Sequence, residues 1–141
     1  MIGTAPARVR EWTSLREHAM TAMENAYAPY SNFRVGAALL GADGSIAAGC
    51  NVENASYPAG LCAERAAVAN AVARGVRNFS AIVIATEAES PTPPCGICRQ
   101  VLMEFAPDLV VLSVTRSGAE AQWSMSDLLP KAFTPTSLER T

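Results

Sequence analysis

Two short stretches concentrate the reactive side chains of this chain: Cys62-Ala63-Glu64-Arg65 and Pro94-Cys95-Gly96-Ile97-Cys98-Arg99-Gln100. They supply three thiols, and a carboxylate two positions after the first of them. Three protein ligands around a zinc ion leave the fourth tetrahedral corner open, as catalytic zinc sites do. Water at that corner ionises near neutral pH. A carboxylate beside it can move the protons. Cys62, Cys95 and Cys98 are therefore the expected ligands of one zinc ion per subunit, and Glu64 the expected catalytic acid–base. One zinc dication and three thiolates sum to a negative centre, which ionises water reluctantly. Arg65 is the available compensation, expected to donate to a ligand sulfur and draw off charge. A solvated helix arginine is the competing reading.

Each motif has a blander reading. Cys-x-x-Cys alone fits a redox dithiol or half of a structural zinc knuckle, with Cys50 as a fourth ligand. Cys50 ends an apolar segment, however, and suits a small core residue. A glutamate in a first helical turn is favoured by the helix dipole alone. Its place between thiol motifs gives Glu64 the catalytic reading. His18, the only histidine, lies in a helical pattern and reads as a boundary residue.

The bulk properties set limits. With 141 residues, half of them apolar, the chain should form one domain over 1–141 with its own core. A net charge of −2 and no Lys/Arg cluster beyond Arg8 and Arg10 argue against nucleic acid as partner. No apolar run spans a bilayer, and no basic-then-apolar leader opens the chain, so no membrane partner and a cytoplasmic location are expected. Cysteines in a reducing compartment point to metal or catalysis rather than disulfides.

The elements that must position these groups follow from periodicity. Trp12 to Tyr27 has apolar residues at helical spacing, ended by Pro29. Residues 33–40 and 46–51 read as an antiparallel hairpin around Asp43-Gly44. Residues 51–60 are too polar for a strand and read as a loop into the first motif. Leu61 to Arg74 is an alanine-rich helix closed by Gly75. Residues 79–86 are apolar on both faces and suit a central strand. A proline-rich loop leads to a helix over about 95–106. Strands over 109–114 and around Trp123 follow, then a capped turn over 126–130. Residues of about 1–10 form a loose lead-in and about 134–141 a tail. Helix, hairpin, helix, strand, helix, strand implies an α/β fold, a mixed sheet sandwiched by helices. Both cysteine motifs open helices, where exposed N–H groups favour thiolates.

With these motifs in place, the chain resembles the small zinc-dependent cytidine deaminases. The likeness runs from about Tyr27 to Phe133. It includes Pro29-Tyr30-Ser31-x-Phe33-x-Val35-Gly36-Ala37-Ala38, Gly49-Cys50-Asn51-Val52-Glu53-Asn54-Ala55, Tyr57-Pro58, both cysteine motifs and Leu128-Leu129-Pro130-x-Ala132-Phe133. The zinc deaminases share the non-ligand glutamate and Pro-Cys-x-x-Cys, and one variant among them has the three-cysteine ligand set. The resemblance implies a five-stranded, three-layer fold and hydrolytic deamination of cytidine and 2′-deoxycytidine in pyrimidine salvage, by zinc-activated water with Glu64 as proton shuttle. It implies ribose contacts from Asn51 and Glu53, packing of Phe33 on the pyrimidine, and approach of the Ala63 N–H to the base carbonyl. It also implies a homotetramer in which Ala55, Tyr57 and Phe133 serve a neighbouring subunit's site. A deaminase of a blasticidin S-type aminonucleoside shares both metal motifs; the Asn51-x-Glu53-Asn54 loop and Phe133 favour cytidine. A structural zinc module that binds a partner is the reading from another class. Arg34 departs from the family, which usually has proline or a small apolar residue there; it is either solvated or alters the pocket rim.

Overall fold

A computed structural model describes residues 9–139. Nearly all of the lead-in lies outside the described residues, as do the last two residues of the tail. Helix α1 covers Val9–Glu24, so Arg10 is helical. It begins and ends earlier than periodicity suggests. The chain past Glu24 is captured by a tertiary pairing: Tyr27 N–H donates to the Asn51 carbonyl at 3.0 Å, and Tyr27 bridges Val52. Ala26 therefore falls outside the helix.

Strands β1 (Val35–Gly41) and β2 (Ile46–Cys50) form the expected antiparallel hairpin. Gly44, at φ +87°, takes the left-handed turn position that glycine tolerates without cost. The loop after β2 contains one 3₁₀ turn, Tyr57–Ala59. Helix α2 (Ala63–Ala73), strand β3 (Phe79–Thr86), helix α3 (Gly96–Phe105), strand β4 (Val110–Thr115), strand β5 (Glu120–Ser124) and helix α4 (Met125–Leu128) complete the order. The cap of α4 is Ser124, two residues earlier than the turn expected from sequence. Its hydroxyl accepts from the Asp127 N–H at 3.2 Å, in a capping box. The tail carries a 3₁₀ turn over Pro135–Leu138.

The five strands order as β2-β1-β3-β4-β5. Only β3 and β4 run parallel, so the sheet is mixed, with β3 at its centre as its two-sided apolar sequence requires. Side chains alternate between two cores. Ala38, Leu40, Val83 and Val114 pack under Leu15, Ala19 and Met23 of α1. Leu39, Ile82, Ile84 and Val111 pack under Ala67, Val68, Leu102 and Met125 of α2, α3 and α4. The architecture is three layers, α1 on one face and the other helices on the opposite face.

Two glycines let the helices sit close. A Cβ on Gly36 would lie 2.0 Å from the Ala19 carbonyl oxygen in α1. A Cβ on Gly49 would lie 2.4 Å from the Ala67 nitrogen and 2.7 Å from the Ala63 oxygen in α2. The second approach fixes the start of α2, where the first thiol motif begins.

Candidate active site

Cys62 is the N-cap of α2 and Cys95 the N-cap of α3, with Cys98 in the first turn of α3. The two helices stand side by side on one face of the sheet, so their N-terminal ends bring the three sulfurs together. All three Sγ atoms lie within 4.8 Å of one another, and Cys62 and Cys95 are 3.9 Å apart. Tetrahedral zinc with bonds of about 2.3 Å needs sulfurs roughly 3.8 Å apart, so the cluster fits the ion. All four cysteines are free thiols.

Cys50 does not join the cluster. It pairs with Gly36, whose missing side chain faces α1, and it lines a cavity of about 520 Å³ together with Glu17, His18 and Asn25. The sheet separates it from the other three thiols. His18 bonds only locally, its Nδ1 lying 2.8 Å from the Ser14 carbonyl. Neither residue belongs to the thiol site.

The electrostatics of the cluster are those of a site built for a cation. Cys62 is drawn down to about 5, first by the hydrogen bond with Cys98 and then by Arg65. Cys98 is pushed upward by that same bond, by burial and by the nearby Glu64. Three crowded sulfurs share negative charge, and a dication relieves the crowding by displacing protons. Arg65 Nη2 donates to the Cys62 sulfur at 3.4 Å, the contact expected of it. Its Nε is buried with no partner.

Glu64 is only 5% exposed. It stands in the first turn of α2 and faces a cleft of about 310 Å³ that also exposes Cys62 and Cys95. Burial pushes its carboxyl up to about 7. A carboxyl poised there takes and returns a proton near neutral pH.

Phe33, Asn51, Glu53 and Ala63 line the same cleft. Asn51 is already engaged: its Oδ1 accepts from the Val35 N–H and its Nδ2 donates to the Phe33 carbonyl, both at 2.8 Å. One amide N–H and one lone pair remain. Glu53 Oε1 accepts from the backbone N–H groups of Tyr30 at 2.9 Å and Ser31 at 3.1 Å. Its Oε2 accepts from the Ser31 hydroxyl. These bonds, led by that hydroxyl, hold Glu53 below the usual carboxylate range, so it is ionised.

Ala55, Tyr57 and Phe133 do not reach this cleft within one chain. Tyr57 is 75% exposed and Phe133 58% exposed. Tyr57 meets Tyr30 edge-on, with ring centroids 6.0 Å apart. Gln100 Nε2 donates to the Phe133 carbonyl at 2.8 Å, which pins the backbone beneath the exposed ring. Arg99 ties the Pro94 and Leu128 carbonyls together at 2.7 and 2.8 Å.

Sequence reasoning missed Thr86, Thr92 and Pro93, which form the far wall of the cleft. A hydroxyl at the last position of an otherwise apolar central strand was the available signal for Thr86.

The family model for the cytidine and deoxycytidylate deaminase zinc-binding region matches residues 10–114. The chain belongs to this family. A cytidine deaminase of Halalkalibacterium halodurans is 47% identical over 121 residues, covering 85% of this chain and 92% of that protein. Among solved structures, the cytidine deaminase from Burkholderia pseudomallei superposes with a TM-score of 0.83 at 50% identity, covering 86% of this chain and 98% of that one. The cytidine deaminase from Mycobacterium tuberculosis gives a TM-score of 0.75 at 41% identity, covering 86% and 96%. The mixed five-stranded fold is thus a family fold, and the thiol cluster is the zinc-binding feature of a hydrolase family.

Proposed function

We propose that this chain is a zinc-dependent cytidine deaminase. It converts cytidine and 2′-deoxycytidine, with water, to uridine and 2′-deoxyuridine plus ammonia. The observation that carries the reading is the buried Glu64 carboxyl, set beside three clustered thiols in a cleft walled by Phe33. Residues 1–141 act as one domain.

Cys62, Cys95 and Cys98 would hold the ion, which would supply a water acidified toward neutral pH as the nucleophile. Glu64 takes a proton from the attacking water. It delivers that proton to N3 of the pyrimidine and then assists departure of the amine from C4. The cleft keeps Glu64 from bulk solvent, so its proton goes to substrate rather than to water. Arg65 holds the Cys62 sulfur and offsets thiolate charge. Phe33 packs on the pyrimidine, and the Ala63 N–H meets the base carbonyl. Asn51 offers its free amide N–H and Glu53 its carboxylate to the ribose hydroxyls. The ionised Glu53 favours a nucleoside and repels a 5′-phosphate.

The exposure of Ala55, Tyr57 and Phe133 supports a homotetramer in which they complete neighbouring clefts. Four free thiols support a reducing compartment, the cytoplasm, and a role in pyrimidine salvage. The test is zinc content measured beside loss of cytidine absorbance. One zinc per chain with steady loss is expected. Zinc-loaded protein that leaves cytidine intact would overturn the proposal, and fast turnover of cytidine monophosphate would show that Glu53 does not exclude a 5′-phosphate.

A further inference from the structure

The cleft wall formed by Phe33 is braced from behind. Phe33 and Val35 line the cleft, while Arg34 between them turns to the face that α1 covers. The neighbouring strand does the same: Thr86 lines the cleft and Glu87 does not. Because Val35 stands opposite Thr86 in the β1–β3 register, one step outward sets Arg34 against Glu87.

Their contact is two-pronged. Arg34 Nε donates to Glu87 Oε1 at 3.0 Å and Nη2 to Oε2 at 2.7 Å. The Arg34 backbone N–H adds a longer bond to Oε1 at 3.3 Å, and Nη1 donates to the Glu24 carbonyl at 3.3 Å. Arg116, from the β4–β5 turn, reaches Glu87 Oε2 at 3.2 Å and Glu24 Oε1 at 2.7 Å. Four charged residues thus join the end of α1, the start of β1, the end of β3 and the β4–β5 turn. Glu87 also opens the 87–94 segment, whose Thr92 and Pro93 line the cleft and which ends at the Cys95 thiol.

We propose that Arg34 is a positioning residue: its paired contact with Glu87, braced by Arg116 and Glu24, sets the gap between Phe33 and the 86–95 wall that receives the pyrimidine. The inference rests on the deaminase reading above. Arg34 touches no substrate and acts through Phe33 on one side and the wall that Glu87 opens on the other. A planar guanidinium fixes both distance and angle against a carboxylate, which a lysine ammonium cannot do.

Steady-state cytidine kinetics on Arg34→Ala, Arg34→Lys, Glu87→Gln and the Arg34→Ala/Glu87→Gln double variant test it, with zinc content and thermal melts alongside. Arg34→Ala should raise KM roughly 3- to 10-fold and leave kcat within about twofold. Arg34→Lys should fall between it and wild type. The double variant should be no worse than Arg34→Ala, since both remove one interaction. Cytidine is uncharged, so long-range steering cannot make its KM depend on salt. Wild-type KM should nevertheless rise about 2- to 3-fold toward 1 M salt as screening loosens the pair, and the Arg34→Ala KM should stay flat. A lower melting temperature with KM and its salt response unchanged would overturn the inference while leaving the deaminase reading intact. Wild-type protein that leaves cytidine untouched would take both down. If Arg34→Ala does not fold, Arg34→Lys and Glu87→Gln decide the matter by the same KM shift.

Discussion

The thiol cluster and the exposed trio Ala55, Tyr57 and Phe133 are built in opposite ways. Cys62, Cys95 and Cys98 are held by two helix N-termini packed on one sheet face, with Glu64 sealed beside them. Tyr57 and Phe133 stand largely in solvent, held only through their backbones or one edge-on ring contact. The thiols and Glu64 therefore come together within one chain, whereas in the homotetramer proposed above the enclosure of substrate would fall to surfaces that a second copy meets.

That contrast can be broken most sharply at the metal. Cys98→Ala should abolish zinc by atomic absorption and lower kcat/KM by roughly 10³-fold or more, the several kcal/mol a metal supplies. Cys50→Ala, across the sheet, should keep one zinc per chain; loss of zinc there would break the separation of the two thiol environments. Glu64→Gln should keep zinc and cost at least about 10²-fold in kcat. Wild-type turnover in that variant would remove Glu64 from proton transfer.

On the exposed side, Phe133→Ala should raise KM for cytidine roughly tenfold and leave zinc content unchanged, the loss of about 1.4 kcal/mol of ring burial. An unchanged KM with intact tetramers in sedimentation would take Phe133 out of the site. The scaffold under the cluster offers a sharper probe. Gly49→Ala puts a Cβ 2.4 Å from the Ala67 nitrogen and should cost about 1–3 kcal/mol in denaturant unfolding, because backbone must move.

The smallest effect concerns pH. The two-pronged bond with Arg34 holds Glu87 down to about 2, below its ordinary 4.5. A depressed carboxyl adds stability above its unfolded pKa and loses it as pH falls through the folded value. Glu87→Gln should therefore lower stability at pH 7 by about 0.2–1 kcal/mol, and the difference should vanish between pH 4.5 and 2. An equal difference at pH 7 and pH 2, in denaturant titrations, would remove the ion pairs as its cause.

Much of the fold was legible because patterning was consistent. The two-sided apolar run over Phe79–Thr86 belongs in a central strand, and that is where β3 lies. Alanine at the contact positions of α2 announced a closely packed helix. The end of α1 was not legible, because a distant backbone group, the Asn51 carbonyl, competes for the Tyr27 N–H. Asn51 itself read as a ribose contact, and the fold also employs it to hold the backbone of Phe33 and Val35. Whether Arg34 is solvated or alters the pocket rim was not legible, since its partners lie 53 residues along the chain and in α1.

By itself the sequence singled out the groups expected to do chemistry: three thiols and a carboxylate at spacings that put them on helix N-termini, where backbone N–H groups favour thiolates. Only the tertiary structure decided which thiols meet. Strand alternation and the sheet put Cys50 on the other side, while two helices packed over one face brought Cys62 within 3.9 Å of Cys95. The reason is that residue type and local spacing set a group's intrinsic chemistry, but distances between segments far apart in the chain are fixed by packing against a shared sheet.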